Sequence, residues 1–321
     1  MAETRLRFVY HIPNSSQRGK ELLMIALQGL VPIAPTPFDG SGQLDLDSLD
    51  SVLDRLVAAG VDGVAVLGMA SEAITLTDDE RLTVIRRAAG HLAGRVPLVA
   101  GCSHVSPEAV AGLAAASHAA GAAVLMVMPP SIGRPDDRAL CGYFLAAADA
   151  SEAVVMIQDN PGWHGVALSM AVYHELAPHP NIGFAKIETA HPPTTMAEVG
   201  ERVGNHLAML GGQAGTWLPE ELARGIVGTM PGAIMPEVYR KIWDLWHAGD
   251  REAAVALFDR HHPLIRVTST PRLGIGMTKL LLARAGVIAN PRVRGPFPQL
   301  GPADVADLDA VVSRLMQPDC P

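Results

Sequence analysis

From Leu30 onward the chain repeats one texture eight times: a short apolar run, then a longer segment whose apolar residues recur at helical spacing. The runs are Leu30–Pro35, Val64–Gly68, Pro97–Gly101, Ala123–Met128, Val154–Asp159, Ile182–Ile187, Leu207–Gly211 and Ile226–Met230. Strands alternating with helices imply a parallel sheet, because parallel neighbours need a crossover. An open doubly wound sheet and a closed barrel both satisfy that rule. Eight units favour the α/β class in its (β/α)8 TIM-barrel form. No Gly-x-Gly-x-x-Gly follows the first run, which removes the usual dinucleotide-binding reading.

The intervening segments carry helix signals. Leu46, Leu49, Val52, Leu53, Leu56 and Val57 share one face of a helix over Leu46–Ala59, and Gly60 is available to cap it. Thr77-Asp78-Asp79-Glu80 has the capping-box spacing. Further helices are expected near Pro107–Ala120, Asp136–Ala150, Met170–Ala177, Thr194–Val203 and Leu218–Arg224. Beyond the eighth run come Pro236–His247, Arg251–His262, Leu273–Ala285 and Ala303–Leu315, more helix than a minimal barrel needs. The expected layout is an N-terminal extension over 1–28, a barrel over 29–235 and a C-terminal helical region over 236–321, packed on the barrel and shaping subunit contacts.

Composition narrows the function. With 49% hydrophobic and 18% charged residues in 321, the chain can bury a large core. A net charge of −8 gives no general attraction to nucleic acid or anionic membrane. No apolar run is long enough to span a bilayer, and the polar start lacks a signal-peptide core. Three cysteines, Cys102, Cys141 and Cys320, fit a reducing cytoplasm better than a disulfide framework. Among the twelve histidines, His261-His262 has no His-x-x-x-His or carboxylate pattern around it, so no metal or other cofactor is expected.

In such barrels the reactive groups gather at the C-terminal ends of strands. There the sixth run delivers Lys186, after the buried-looking stretch Ile182-Gly183-Phe184-Ala185. A lysine is almost never fully buried without a partner or a task. Burial favours the neutral amine, which attacks carbonyls, whereas a plain strand-end lysine would pair with Glu188 or reach solvent. Strand parity puts Phe184, Lys186 and Glu188 on one face, with Phe184 as an apolar floor.

The order and spacing of several stretches resemble the dihydrodipicolinate synthase and N-acetylneuraminate lyase superfamily of class I aldolases. They are Pro35-Thr36-Pro37-Phe38, Gly60-Val61-Asp62-Gly63, Gly68 to Glu72, Leu76 to Arg81, Val96 to Gly101, Pro130 with Arg134-Pro135, Asp159-Asn160-Pro161, and Ala185-Lys186. The resemblance covers about 29–296 and implies a Schiff-base role for Lys186. It also brings departures. The family's strand-two hydroxyls are replaced in Gly68-Met69-Ala70-Ser71-Glu72, although backbone amides near Met69 and Ala70 remain for a keto-acid carboxylate. The relay tyrosine after strand five is Gln158, which hydrogen-bonds but is no general acid or base near neutral pH. The tyrosine pair after strand four is Ser131 and Ile132, and the arginine that clamps a second carboxylate in the lysine-pathway enzyme is Trp163.

The resemblance therefore implies a lyase of class I aldolase type, and not an authentic dihydrodipicolinate synthase. Lys186 would form an imine with a 2-oxo acid such as pyruvate or its aldol adduct, with an aldehyde as the other partner. The alternatives are a dehydratase of 2-keto-3-deoxy sugar acids using the same imine, and a non-catalytic effector-binding barrel. Lys186, Glu188 and Gln158 form the expected catalytic group, with Glu188 as proton shuttle if burial raises its pKa, and Asp159 or His164 in reserve. Met69, Ala70, Ser71, Asp159, Trp163, His164, Gly212 and Gln213 are the expected substrate-binding set. The glycines of Gly211-Gly212-Gln213-Ala214-Gly215 would let substrate approach the backbone, and Trp163 and Met69 would make the mouth apolar. The resemblance also points to a homo-oligomer, a dimer or tetramer.

Overall fold

The computed structural model describes residues 27–317. The expected N-terminal extension, 1–28, falls almost wholly outside them. Eight strands follow in order: β1 (Gly29–Leu30), β2 (Val64–Val66), β3 (Leu98–Gly101), β4 (Val124–Val127), β5 (Val154–Asp159), β6 (Ile182–Ile187), β7 (Ala208–Gly211) and β8 (Gly228–Thr229). The crossovers are α1 (Leu46–Ala58), α2 (Asp78–Leu92), α3 (Pro107–Ala119), α4 (Asp137–Asp149), α5 (Pro161–His164), α6 (Met170–Leu176), α7 (Pro192–Val203) and α8 (Leu218–Ala223). Helices α9 (Pro236–His247), α10 (Arg251–Thr268), α11 (Leu273–Arg284) and α12 (Pro302–Met316) complete the chain. No helix among the described residues is long and apolar enough to cross a membrane.

All pairings between named strands are parallel, in the order β1-β8-β7-β6-β5-β4-β3-β2. The two ends meet at Ile33, which bridges Ala65 on one side and Gly232 on the other. The Ala34 amide donates to the Ala65 carbonyl at 2.8 Å, so the sheet closes into the expected barrel. The first run is strand only at Gly29–Leu30 and in the bridge at Ile33, because Pro32 and Pro35 have no amide to offer a ladder.

Strand parity sorts the side chains into two cores. Val99, Val124, Met126, Met156, Phe184, Leu210 and Met230 fill the barrel interior. Their neighbours on the same strands, such as Ala100, Leu125, Val155 and Ile187, face the helices. A fully buried Leu or Val contributes about 1.5–3 kcal/mol relative to exposure, so these two layers dominate the stability. The helix signals act locally as read. Thr77 accepts from the Glu80 amide, and the Glu80 carboxylate accepts from the Thr77 amide at 2.9 Å. One helix exceeds its expected length. α10 was expected to stop at His262, yet it runs through Pro263 to Thr268. A proline inside a helix removes one hydrogen bond and crowds the preceding turn. Here Ile265 and Val267 beyond it are buried, and that packing holds the last turn in place.

α8 carries an unusual group. Glu221 is fully buried against β7, where a Cβ on Gly211 would overlap its carboxyl group. Neither of its oxygens accepts a well-formed hydrogen bond. Burial pushes this carboxyl up to about 8, with the nearby Gly212 amide pulling the other way. A raised folded-state pKa means that the native chain holds a proton which the unfolded chain gives up. Stability is therefore full below the unfolded value of 4.5 and is lost as pH rises toward about 8. In urea titrations across that range, Glu221→Gln should gain stability relative to the wild-type chain by up to roughly 1.4 kcal/mol per pH unit, levelling off once Glu221 has ionised. A difference independent of pH would show that Glu221 is ionised in the folded state.

Candidate active site

Lys186 lies in β6 directly above Phe184, and both face the barrel interior, where β5 sets Gln158 beside Lys186. The ammonium and its neighbour Glu188 are each only 3% exposed, and Lys186 Nζ stands 3.1 Å from Glu188 Oε2. Glu188 is tied on both oxygens. Gln158 Nε2 donates to Oε2 at 2.5 Å, and the Gln213 backbone amide donates to Oε1 at 2.7 Å. Burial pushes the Glu188 carboxyl up, but the Lys186 ammonium and the bonds from Gln213 and Gln158 outweigh it, and the net direction is down. The condition set for Glu188 as a shuttle, a carboxyl raised by burial, is therefore not met, and the resting group is a carboxylate.

The turn after β7 is shaped around that carboxylate. Gln213 and Ala214 both have left-handed backbones, with φ of 48° and 55°. The Gln213 side chain donates to the carbonyls of Glu188 and Thr189 at 2.8 and 2.7 Å, and the Tyr239 hydroxyl donates to the Ala214 carbonyl at 2.6 Å. A Cβ on Gly212 would overlap the Glu188 side chain. The room that this glycine provides is thus taken by Glu188 and not by substrate.

The other side of the site is a single 3-10 turn, Met69–Ser71, after β2. Its leading amides, Met69 and Ala70, have no carbonyl within the turn to receive them, which leaves them as donors for a carboxylate. Leu67 and Glu72 flank the turn with φ of 58° each, a conformation that costs a non-glycine residue about 1–2 kcal/mol. Ser71 secures it from beneath: its hydroxyl donates to the Ala34 carbonyl at 2.6 Å and accepts from the Gly68 amide at 3.1 Å.

These groups open on one cavity of about 380 Å³. Met69, Ala70, Trp163, Lys186, Glu188 and Gln213 line it. Across this geometry the Dihydrodipicolinate synthetase family model matches residues 26–315. The chain belongs to that family. Among curated relatives, L-2-keto-3-deoxyarabonate dehydratase of Azospirillum brasilense is 34% identical over 301 residues, covering 90% of this chain and 94% of that protein. 4-Hydroxy-tetrahydrodipicolinate synthase 1 of Streptomyces coelicolor is 36% identical over 286 residues, covering 87% and 91%. The crystal structure of dihydrodipicolinate synthase from Rhodopseudomonas palustris superposes with a TM-score of 0.84 at 29% identity, covering 91% of this chain and 99% of that one. YagE, a prophage protein of the family from E. coli K12 in complex with pyruvate, gives 0.84 at 25% identity, covering 90% and 98%.

Within this dihydrodipicolinate synthetase family barrel, several residues expected at the substrate stand behind the cavity wall. Ser71 is fully buried, as above. Asp159 follows Gln158 by one residue and so faces the helices, where the Tyr173 hydroxyl donates to it at 2.8 Å. Burial raises its carboxyl to about 6. His164 is folded back on its own loop: its ring nitrogens lie 3.3 Å from the amides of Asn160 and Val166. Burial lowers the imidazole to about 4, so it is neutral near pH 7. Gln158 and Gly212 act on Glu188 and do not face the cavity. Trp163 does face it, and its ring stacks on Phe297 from the C-terminal segment with centroids 6.0 Å apart.

The C-terminal helices add a wall that the sequence reading assigned to packing and subunit contacts. Thr268, Ser269, Thr270 and Arg272, at the junction of α10 and α11, line the cavity. The mouth is therefore more polar than Trp163 and Met69 suggest. The signal was the polar run Thr268-Ser269-Thr270-Pro271-Arg272 between two apolar helices. Among the described residues no group of three or more His, Cys, Asp or Glu side chains is arranged to hold a metal ion.

Gly212→Ala tests how tightly Glu188 must be held. The added methyl displaces the carboxylate, and a misplacement of about 1 Å can cost on the order of 100-fold in turnover. The expected outcome is that loss in kcat with an intact cooperative unfolding transition. Unchanged kcat would show that the position of Glu188 is not critical.

Proposed function

We propose that this barrel is a Schiff-base lyase that removes water from a 2-keto-3-deoxy sugar acid. The observation that carries this reading is the 3.1 Å approach of Glu188 Oε2 to Lys186 Nζ. In an imine on Lys186 the C3 carbon of the substrate lies two bonds from Nζ, so a carboxylate that reaches the nitrogen also reaches a C3 proton. Of the other ionisable side chains lining the cavity, Tyr239 already donates its hydroxyl to Ala214, and Arg272 is a permanent cation. Dehydration across C3–C4 needs its base at C3. Aldol cleavage needs a base at the C4 hydroxyl, and condensation with an aldehyde needs an acid at the aldehyde oxygen. Both act on oxygen, the task of the family's relay tyrosine, whose place is taken here by Gln158, which carries no proton near neutral pH. The similarity to a 2-keto-3-deoxyarabonate dehydratase points the same way.

The steps balance with Glu188 and solvent water as the proton carriers, and water can replace Glu188 in forming the imine. Glu188 takes a proton from the Lys186 ammonium, and the free amine attacks C2. The hydroxyl of the resulting carbinolamine leaves as water with the proton returned from Glu188, giving a protonated imine and a carboxylate. The substrate carboxylate rests on the Met69 and Ala70 amides. Glu188 then removes a C3 proton and passes it to solvent, and the enamine expels the C4 hydroxyl, which takes a proton from solvent and departs as water. Hydrolysis of the conjugated iminium frees the unsaturated 2-oxo acid and restores the Lys186 ammonium.

Incubation with pyruvate and borohydride should add one reduced adduct, mapped to Lys186 by peptide mass spectrometry, and Lys186→Ala should abolish both label and turnover. With 2-keto-3-deoxy sugar acids the expected product is an unsaturated or rearranged 2-oxo acid one water lighter than the substrate. Release of pyruvate and an aldehyde would mark the chain as an aldolase. A label on another residue would refute the Schiff-base assignment.

A further inference from the structure

Arg272 is the second cationic side chain lining the cavity, after Lys186. Its backbone lies at φ 71°, where a non-glycine residue stays only if its surroundings hold it. The junction between α10 and α11 supplies the constraint. The Gly274 amide donates to the Thr270 carbonyl and the Leu273 amide to the Pro271 carbonyl, both at 2.9 Å. A Cβ on Gly274 would overlap the Thr268 carbonyl, so the tight return depends on that glycine. The hydroxyls of Thr268, Ser269 and Thr270 donate back to carbonyls of α10, at 2.8, 3.1 and 3.2 Å. They are tied, whereas the Arg272 guanidinium has no hydrogen-bond or ion-pair partner among the described residues, and the residue is exposed at the mouth.

A substrate bound through Lys186 at C2, with its carboxylate on the Met69–Ala70 turn, directs its remaining carbons toward that mouth. We infer that Arg272 is a specificity-determining residue that binds oxygen at the far end of the substrate chain, and so selects 2-oxo acids ending in a hydroxyl or a carboxylate over those ending in a methyl group. This inference rests on the imine reading of Lys186. Arginine suits the task because its planar fork donates two parallel hydrogen bonds, which a lysine in the same place does not.

The test compares 2-keto-3-deoxy acids of equal length that end in a hydroxyl, a carboxylate or a methyl group. Wild-type protein is set against Arg272→Gly, whose backbone adopts φ 71° without strain, and against Arg272→Lys. For at least one oxygen-ended acid, Arg272→Gly should raise KM by about 10-fold or more while kcat falls less, as for loss of a charge-assisted hydrogen bond. Arg272→Lys should recover part of the loss, and the methyl-ended acid should show little change in KM. Which oxygen-ended acid suffers more identifies the chain end as hydroxyl or carboxylate. Equal KM changes for all three acids, or none for any, would overturn the inference. Borohydride labelling of the wild-type chain with pyruvate runs alongside. If that labelling fails, the imine reading itself is at fault. If it succeeds while KM does not discriminate, only the role of Arg272 falls.

Discussion

Two opposite charges, the Lys186 ammonium and the Glu188 carboxylate, stand 3.1 Å apart with almost no access to water, and much of the barrel's upper rim is arranged to keep them so. Taking ions out of water costs several kcal/mol each, and breaking such a pair by removing one member costs about 3–5 kcal/mol. The pair is tolerable only if every remaining lone pair is met. Gln158 and the Gln213 amide meet those of Glu188, the glycine at 212 leaves room for it, and Phe184 closes the floor under Lys186. The left-handed backbones of Gln213 and Ala214 store strain in the same turn. The pair is thus poorly explained as a stability device. It is the arrangement that the proposed proton transfer requires, a carboxylate held next to the lysine nitrogen.

A second buried pair does the positioning. Glu72 ends the Met69–Ser71 turn and pairs with Lys279 of α11, both fully buried. Burial lowers Lys279 to about 8 and raises Glu72, and each charge opposes the shift of the other. The Arg294 amide donates to Glu72, its guanidinium grips Glu80, and Lys279 and Arg294 each sit 4.3 Å from the ring centroid of Phe38. The C-terminal segment is therefore bolted to the Met69–Ser71 turn at the cavity. The helices beyond the barrel complete the site as well as covering it.

Much of this was legible in the sequence, for reasons that can be named. Buried parallel strands read as short apolar runs, and their period of two sets Lys186, Glu188 and Phe184 on one face. The same parity would have turned Asp159 toward the helices, one residue after inward-facing Gln158; treating it as a reserve shuttle ignored that rule. The direction of the Glu188 shift stayed open because burial and pairing act in opposite senses, and only distances decide between them. Pro263 hid the end of α10, since the packing that overrides a helix breaker comes from residues distant in sequence. With that end hidden, Thr268–Arg272 fell into a gap between helices, and the polar wall of the cavity went unseen. The use of Gly212 was also out of reach, because nothing local distinguishes a glycine that admits substrate from one that admits a neighbouring carboxylate.

The proposed chemistry depends on Glu188 moving a proton at C3 of a substrate carried by Lys186. Exchange of the pyruvate methyl protons with deuterium oxide, followed by NMR, reads that step with no second substrate and no leaving group. The wild-type chain should catalyse the exchange. Glu188→Gln should slow it by about 100-fold or more, the range for loss of a general base, while borohydride still labels Lys186. Labelled Glu188→Gln protein that exchanges as fast as wild type would contradict the account.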